Sequence, residues 1–478
     1  MGKFLKKYKH EIILGILILI YVVYFTTASF LKYDNFYAGR YDLGNMDQTV
    51  WNTLKGRIFQ TSDDNGATVS RLSAHADFIL ILLSPFYLFW NNPKTLLLLQ
   101  TIALGLGALF VYLIAKEIIK NKNLALIFSF IFLLNPLVQY TNLYDFHAVT
   151  LSTTFLLAAF YFLIKRRYFV MTLFLLLSGI CKEQIWVINS LFGFPLLFQK
   201  SKKIKLLGMT IIIASLVAFY YLVSYFIPHN LGRQHFALAY YSDFGSSPIQ
   251  VIKNIIFSPQ KTLAVIFQPE RLGYLLQLFV PLGFTSLISP INLIFAVPDL
   301  LINLLSTNSG FRQIYYQYTA TITPFIFISS IFAVKQFIRW FPKISKKYIY
   351  SYLLIFALFP AYFFGPLPGA KNPSFEMFTN FQKNRPVIDS YLFKIPEKYS
   401  VAATNNLGAH LSHRQVIYTI PVGIGKADVV VFLLNDRFAQ PSLKEQKNLA
   451  NSLKQNKNYV EVFQKDDFII FKKQGILL

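Results

Sequence analysis

The feature that most constrains this chain is a series of apolar stretches bracketed by basic clusters. A membrane-spanning helix needs roughly 17–25 mostly apolar residues. The first such stretch covers about 11–31 and is preceded by Lys3, Lys6, Lys7 and Lys9. A cleaved signal peptide carries only roughly 7–15 apolar residues, so an anchor with a cytoplasmic N-terminus is expected. Further spans are expected near 94–115, 124–141, 148–164, 206–228, 319–334 and 348–364. Two stretches, 168–198 and 272–306, are too long for one span. The first lies between Lys165, Arg166 and Arg167 on one side and Lys200, Lys202, Lys203 and Lys205 on the other. With both ends inside, it must be a hairpin with Cys181-Lys182-Glu183-Gln184 at its outer tip. The second must also be a hairpin, because the next span ends at Lys335, Arg339, Lys343, Lys346 and Lys347. The expectation is an all-α polytopic membrane protein of about eleven spans, N-terminus in and C-terminus out.

Charge tests that layout. The chain carries 46 Lys and Arg against 22 Asp and Glu, a net +24. Such an excess can mark a nucleic-acid footprint. Here the short inner loops hold 19 of the cations and only Glu11 and Glu117 among the acids. That is positive-inside patterning, and no nucleic-acid partner is expected. Only 14% of residues are charged, and 17% are aromatic. Soluble chains average roughly 25% charged, so a disordered chain is excluded and a fully soluble enzyme is not expected. The single cysteine, Cys181, rules out an intrachain disulfide framework and a cysteine-based zinc site.

The long mixed-charge segments all fall outside. The first outer loop covers 32–77, and the apolar run 78–90 behind it is half a span long, suiting an interfacial or re-entrant segment. Other outer loops cover about 229–271 and 307–318. Pro366, Pro368, Gly369 and Pro373 then mark a linker. This divides the chain into a membrane domain, 1–365, and a small extracytoplasmic α/β domain, 366–478. In the latter, strands are expected at 401–403, 416–418 and 429–434, an amphipathic helix at 442–453, and a closing hairpin at 459–463 and 468–471.

The strongest constellation of functional groups is Tyr41-Asp42-Leu43-Gly44-Asn45-Met46-Asp47-Gln48-Thr49-Val50-Trp51-Asn52. Asp42 reads as the N-cap of a short surface helix, with Asp47 more than a turn further on. The plainer reading leaves Asp42 as a cap and Asp47 as a solvated residue. His75, Asp77, Asp145 and His147 offer oxygen and nitrogen donors that suit a divalent cation. The alternative is that they bond water and loop backbone. Lys182, Arg233 and Arg312 are outer-face cations, and Tyr315 lies near Arg312. Arg suits phosphate because its planar fork donates two parallel hydrogen bonds. Asn405-Asn406-Leu407-Gly408 is a weak echo of a phosphate loop without the full glycine fingerprint. Asp299, beside Pro298, stands apart as an acid within a span.

The first-loop string, together with Tyr144-Asp145-Phe146-His147, Lys182-Glu183 and Asn405-Asn406-Leu407-Gly408-Ala409-His410-Leu411-Ser412-His413-Arg414, resembles the prokaryotic membrane proteins catalogued as domain of unknown function 2079. More distantly, the layout resembles the GT-C superfamily of membrane glycosyltransferases. That resemblance implies a polyprenyl-phosphate-linked sugar as donor, a glycan, lipid or protein as acceptor, and an acidic residue near the start of the first outer loop, the place of Asp42. Leu43 and Gly44 stand where the superfamily often carries a second acid. The implied chemistry is inverting glycosyl transfer. Asp42 would serve as base with Asp47 in support, and Lys182, Glu183, Arg233, Arg312 and Tyr315 would line the substrate phosphate. A transporter or flippase, with Asp299 on its path, and a non-catalytic factor for cell-surface polysaccharide assembly are the other two classes open to such a chain.

Overall fold

Apolar sequence in a bilayer must satisfy its own backbone, which favours helices. The computed structural model describes residues 6–436 and 438–477, so Lys3 of the basic N-terminus lies outside the described residues. Among those residues, four helices are long and apolar enough to cross a membrane: Lys9–Asp34, Lys94–Ile119, Lys202–Leu231 and Lys346–Phe364. A fifth arises if Lys122–Leu134 and Pro136–Leu143, bent by 43° at their junction, count as one. Pro136 causes that break, and the Asn135 side chain accepts from the freed Leu137 amide at 2.9 Å.

This is fewer full-length spans than the expected eleven, because proline and glycine cut the remaining apolar stretches short. The 168–198 stretch does turn at 182–184, but between helices of only 12 and 7 residues, Tyr168–Gly179 and Ile185–Leu191. The 272–306 stretch is not a two-helix hairpin. Pro281, Pro290 and Pro298 each start a new short helical piece, ending with Val297–Leu305. These pieces pack against Thr323–Trp340, whose first half is buried. Ser329 donates to the carbonyls of Ser286 and Ser289 at 2.7 and 2.6 Å, supplying partners that the irregular backbone lacks. Burial separates inner from outer helices. The apolar window of Lys94–Ile119 is 56% buried, against 28% for Lys9–Asp34 and 22% for Lys346–Phe364, which leaves the latter two apolar faces open to lipid.

The run at 78–90 forms two short helical pieces, Ile79–Leu83 and Ser84–Leu88, with Leu88 and Phe89 exposed. In the first long loop, β1 (Gln60–Ser62) pairs antiparallel with β2 (Thr68–Ser70). Beyond residue 400 a five-stranded mixed sheet forms from β3 (Val401–Ala403), β4 (Ile417–Thr419), β5 (Val429–Leu433), β6 (Tyr459–Lys465) and β7 (Phe468–Lys473), in the order β4-β3-β5-β7-β6. β3 runs parallel to β4 and β5, and β7 antiparallel to β5 and β6. Strand β5 is buried on both faces, which explains its unbroken apolar sequence. Val401, Val429 and Val431 pack on one face with Phe36 from the first loop, while Val430 and Phe432 pack on the other with Leu453. Leu453 belongs to the helix Leu443–Lys454, which opens on a capping box of Ser442 and Glu445.

Candidate functional site

Asp42 owes its position to an irregular turn. Residues Arg40–Gly44 form a single π-helical turn that runs into the helix Asn45–Leu54. Such turns are rare and recur at functional sites. No side chain caps this helix, so Asp42 does not take the expected N-cap role. Its Oδ1 meets His147 Nε2 at 3.1 Å, and its Oδ2 accepts from the Tyr144 hydroxyl at 3.2 Å. The Tyr144 ring stacks on His147 with centroids 5.2 Å apart. Burial opposes ionisation of Asp42, but the hydrogen bond and charge of His147, aided by Tyr144 and Lys32, hold the carboxyl below its ordinary range.

The backbone carrying His147 is pinned from several sides. Gln100 donates to the Asp145 carbonyl at 2.9 Å and accepts from the His147 amide at 2.9 Å. Lys32 closes the end of Pro136–Leu143 by donating to the carbonyls of Leu143 and Tyr144. Asp145 accepts from the Gly39 amide at 3.3 Å. Burial raises its carboxyl to about 7; Lys32 opposes the shift and Asp42 adds to it.

Behind the π-turn sits the C-terminal segment. Asn405 Oδ1 accepts from the Arg40 amide at 2.9 Å. Gly39 and Gly408 permit this approach: a Cβ on Gly408 would lie 2.2 Å from Arg40 Cβ, and one on Gly39 2.7 Å from Asn405 Nδ2. Gln48 donates to the carbonyl of Arg414 at 2.7 Å. The string 405–408, weighed as a phosphate loop, therefore works as a docking turn. Asp47 belongs to the same junction. It is 0% exposed, accepts from the hydroxyls of Tyr87 and Ser412, and lies 3.1 Å from His413 Nε2. It is absent from the cavity that Asp42 lines, so its expected support of Asp42 gives way to a structural tie.

That cavity has a volume of about 630 Å³. Asp42, His147, Lys182 and Asp299 line it together, although they come from four distant parts of the sequence. One wall is apolar, formed by Phe219 and Val223 near the end of the long helix Lys202–Leu231 and by Val251, Ile252 and Ile255 of the helix Pro248–Phe257. Lys182 lines it half-buried.

The expected metal ligands do not assemble as one set. Asp77 is locked to Arg71 by a buried bidentate pair at 2.8 Å, Asp145 holds the Gly39 amide, and His147 faces Asp42. His75 instead joins Glu183 and His235. These three form the group of potential ligands found within 4.8 Å of one another among the described residues. His75 Nδ1 lies 2.9 Å from Glu183 Oε1, and His235 Nε2 lies 3.6 Å from it. His235 Nδ1 already accepts the Ala237 amide proton at 3.1 Å. In the neutral ring the proton then sits on Nε2, leaving no lone pair there for an ion. The trio is wired as a carboxylate held by imidazoles. Burial opposes ionisation of Glu183, yet His75, His235 and Lys182 hold it well below its ordinary range. Burial lowers His75 and favours its neutral form.

Three expected phosphate contacts lie elsewhere. Arg233 is exposed and Tyr315, packed edge-on against Tyr140, is 49% exposed; neither lines the cavity. Arg312 is buried, donating to the Ser306 carbonyl at 2.7 Å and pairing with Glu270 at 2.8 Å, so its guanidinium is committed to loop structure. His235, Asn303, Gln317 and Tyr318 line the cavity without having been singled out. They belong to no motif, and only their location in the expected outer loops and hairpin hinted at them.

A model of the family described as "Predicted membrane protein (DUF2079)" matches residues 32–470. Comparison with curated proteins finds no match. Among solved structures, the chain is similar to the archaeal oligosaccharyltransferase AglB from Archaeoglobus fulgidus, in complex with an inhibitory peptide and a dolichol-phosphate. The identity is 13% and the TM-score 0.48, over 99% of this chain and 75% of that one. With the family model spanning the first long loop, the helices and the sheet alike, the chain belongs to the DUF2079 family of predicted membrane proteins.

Proposed function

We propose that this protein is an integral-membrane glycosyltransferase working on a polyprenyl-phosphate-linked sugar at the outer face of the membrane. The observation that carries the reading is the cavity itself: a carboxylate–imidazole pair and a lysine share it with an apolar wall. That combination suits an amphiphile whose polar head reacts while its lipid tail lies along hydrocarbon. Asp299, the acid weighed for transport, lines the same cavity as Asp42, which favours one working centre over a separate path.

In the proposed reaction the acceptor hydroxyl attacks the anomeric carbon. The carbon–oxygen bond to the lipid phosphate breaks as the bond to the acceptor oxygen forms. Asp42, ionised and fixed by His147 and Tyr144, orients the hydroxyl and takes its proton as charge develops. The departing phosphate carries the negative charge, and the Lys182 ammonium lies in the cavity to stabilise it. Attack opposite the leaving group inverts the anomeric centre. Of the expected metal ligands, His75, Asp77 and His147 line the cavity, and His147 there meets Asp42.

The test is Asp42→Asn in purified, lipid-reconstituted protein. Transfer from a synthetic citronellyl-phosphate sugar is measured by mass spectrometry, and the product anomer is read by NMR. Loss of transfer with unchanged unfolding temperature and donor binding supports the reading. Wild-type-like transfer by the variant would overturn it.

A further inference from the structure

Two carboxylate–imidazole pairs line the cavity, and they face it in opposite senses. In the first, the Asp42 side chain is 33% exposed and His147 behind it 8%. In the second, the His75 side chain is 24% exposed and Glu183 behind it 6%. The transfer described above uses Asp42 and leaves the imidazole of the second pair without a task.

Glu183 fixes what that imidazole offers. Its Oε2 accepts from the Ala76 amide at 3.1 Å, and its Oε1 lies 2.9 Å from His75 Nδ1. An ionised carboxylate only accepts, so the proton between them sits on Nδ1. Burial favours the neutral ring, whose lone pair is then on Nε2. Phe236 packs edge-on against the ring, with centroids 5.6 Å apart. Nε2 has no partner among the described residues and is not enclosed, so it is open to the cavity.

A lone pair fixed in this way takes a donor. A hydroxyl supplies one, whereas an ionised phosphodiester and an apolar tail do not. Lys182, next to Glu183, lines the same cavity, and its charge bears on His75. A lipid phosphate held by Lys182 would bring the first atoms of its sugar beside His75. The hydroxyl nearest to the phosphate is the one next to the anomeric carbon.

We infer that His75 is a specificity-determining residue whose Nε2 accepts from the hydroxyl next to the anomeric carbon of a lipid-linked sugar, and that Glu183 is the positioning residue that sets its tautomer. This rests on the reading of the cavity as a glycosyl-transfer site.

The experiment uses the full-length protein in lipid nanodiscs and three probes: citronellyl phosphate, citronellyl-phosphate glucose, and the glucose probe with fluorine in place of that hydroxyl. Binding is followed by tryptophan fluorescence, and thermal unfolding confirms that each variant is folded. Fluorine keeps the size of the group but cannot donate. Wild type should bind the glucose probe at least about tenfold more tightly than the fluoro probe. His75→Phe should lose that preference while binding the bare phosphate within about twofold of wild type. Glu183→Gln gives the sharper readout. The Ala76 amide can meet only the glutamine oxygen, so the glutamine amide nitrogen faces His75 and the ring proton moves from Nδ1 to Nε2. Nε2 then donates, and the fluoro probe should gain about threefold or more relative to the bare phosphate. Structural damage would weaken binding of that probe and not strengthen it. If wild type binds the two sugar probes alike, or if either variant keeps its preference, water satisfies Nε2 and the inference is overturned, while the transfer reading stands. If His75→Phe loses the bare phosphate, His75 is a phosphate contact and the inference is likewise overturned. If wild type binds no probe, the transfer reading falls and takes the inference with it.

Discussion

Asp42 and Asp47 lie on one continuous helical run, yet they meet different fates. Asp42 is 33% exposed, and His147, its partner, itself lines the cavity. Asp47 is 0% exposed, and its partners are Tyr87 and the tail residues Ser412 and His413. The same side chain faces a cavity in one place and is a tie in the other. What covers a carboxylate decides which: a cavity leaves it free to meet a ligand, whereas hydroxyls and an imidazole from another segment use it up. The comparison also gives the tail a purpose, since the contacts through Asn405 and Gly408 hold the π-turn from behind and Ser412 ties down the helix that follows it.

The contrast can be broken from either end. The largest effect is expected at the cavity, where Asp42→Asn should lower transfer by about a hundredfold or more while barely changing stability. At the junction, Asp47→Ala should do the reverse. It leaves the Tyr87 hydroxyl unpaired in a buried site, while Ser412 still donates to the Ala409 carbonyl, a cost of about 1–3 kcal/mol in unfolding free energy. Transfer per folded molecule should stay within about threefold of wild type. A stable Asp47→Ala protein that has lost transfer would place Asp47 in the chemistry after all.

A smaller effect sharpens the Asp42 side. His147 holds the Asp42 carboxyl below its ordinary range against the opposing pull of burial. With His147→Ala, burial prevails, so the acid limb of the transfer–pH profile should move to higher pH. An unmoved limb would show that His147 does not set the ionisation of Asp42.

The smallest effect concerns Asp145. Its value in the folded protein, about 7, lies above the ordinary value of 3.8. The stability tied to this group is therefore complete below about pH 4 and is lost as pH rises through about 7. Asp145→Asn cannot ionise and keeps an acceptor for the Gly39 amide. It should match wild type near pH 4 and unfold about 2–4 °C higher at pH 8, measured by thermal melts. An unchanged difference across that range would remove Asp145 from the balance.

Much of the frame was legible from residue order. Strands 401–403 and 429–433, the helix opening at Ser442 and the hairpin turning at Asp466-Asp467 fall where alternation and turn residues put them. The apolar stretches were visible too, but not their lengths as helices. Pro281, Pro290 and Pro298 divide what hydropathy reads as continuous, because hydropathy averages over a residue that cannot donate a backbone bond. At the site, Asp42, His147 and Lys182 stood out because ionisable groups at a membrane edge are costly. His235 and Gln317 did not, since nothing local distinguishes a cavity-lining glutamine from a surface one. Arg312 was misread for the opposite reason: its charge was visible, but not the carbonyls and Glu270 that occupy it.

The sequence by itself determined that this is a membrane chain with a small α/β region near its C-terminal end. Hydrophobic period, charge bias and turn chemistry are properties of neighbours along the chain, and they need no tertiary contact to be read. Only the tertiary structure decided which acids face the cavity. It brought residues 42, 147, 182 and 299 to one cavity, turned Asp47 into a tail contact, and set Glu183 behind His75. Those outcomes depend on what lies opposite a side chain in space, and that partner is set by packing among distant segments.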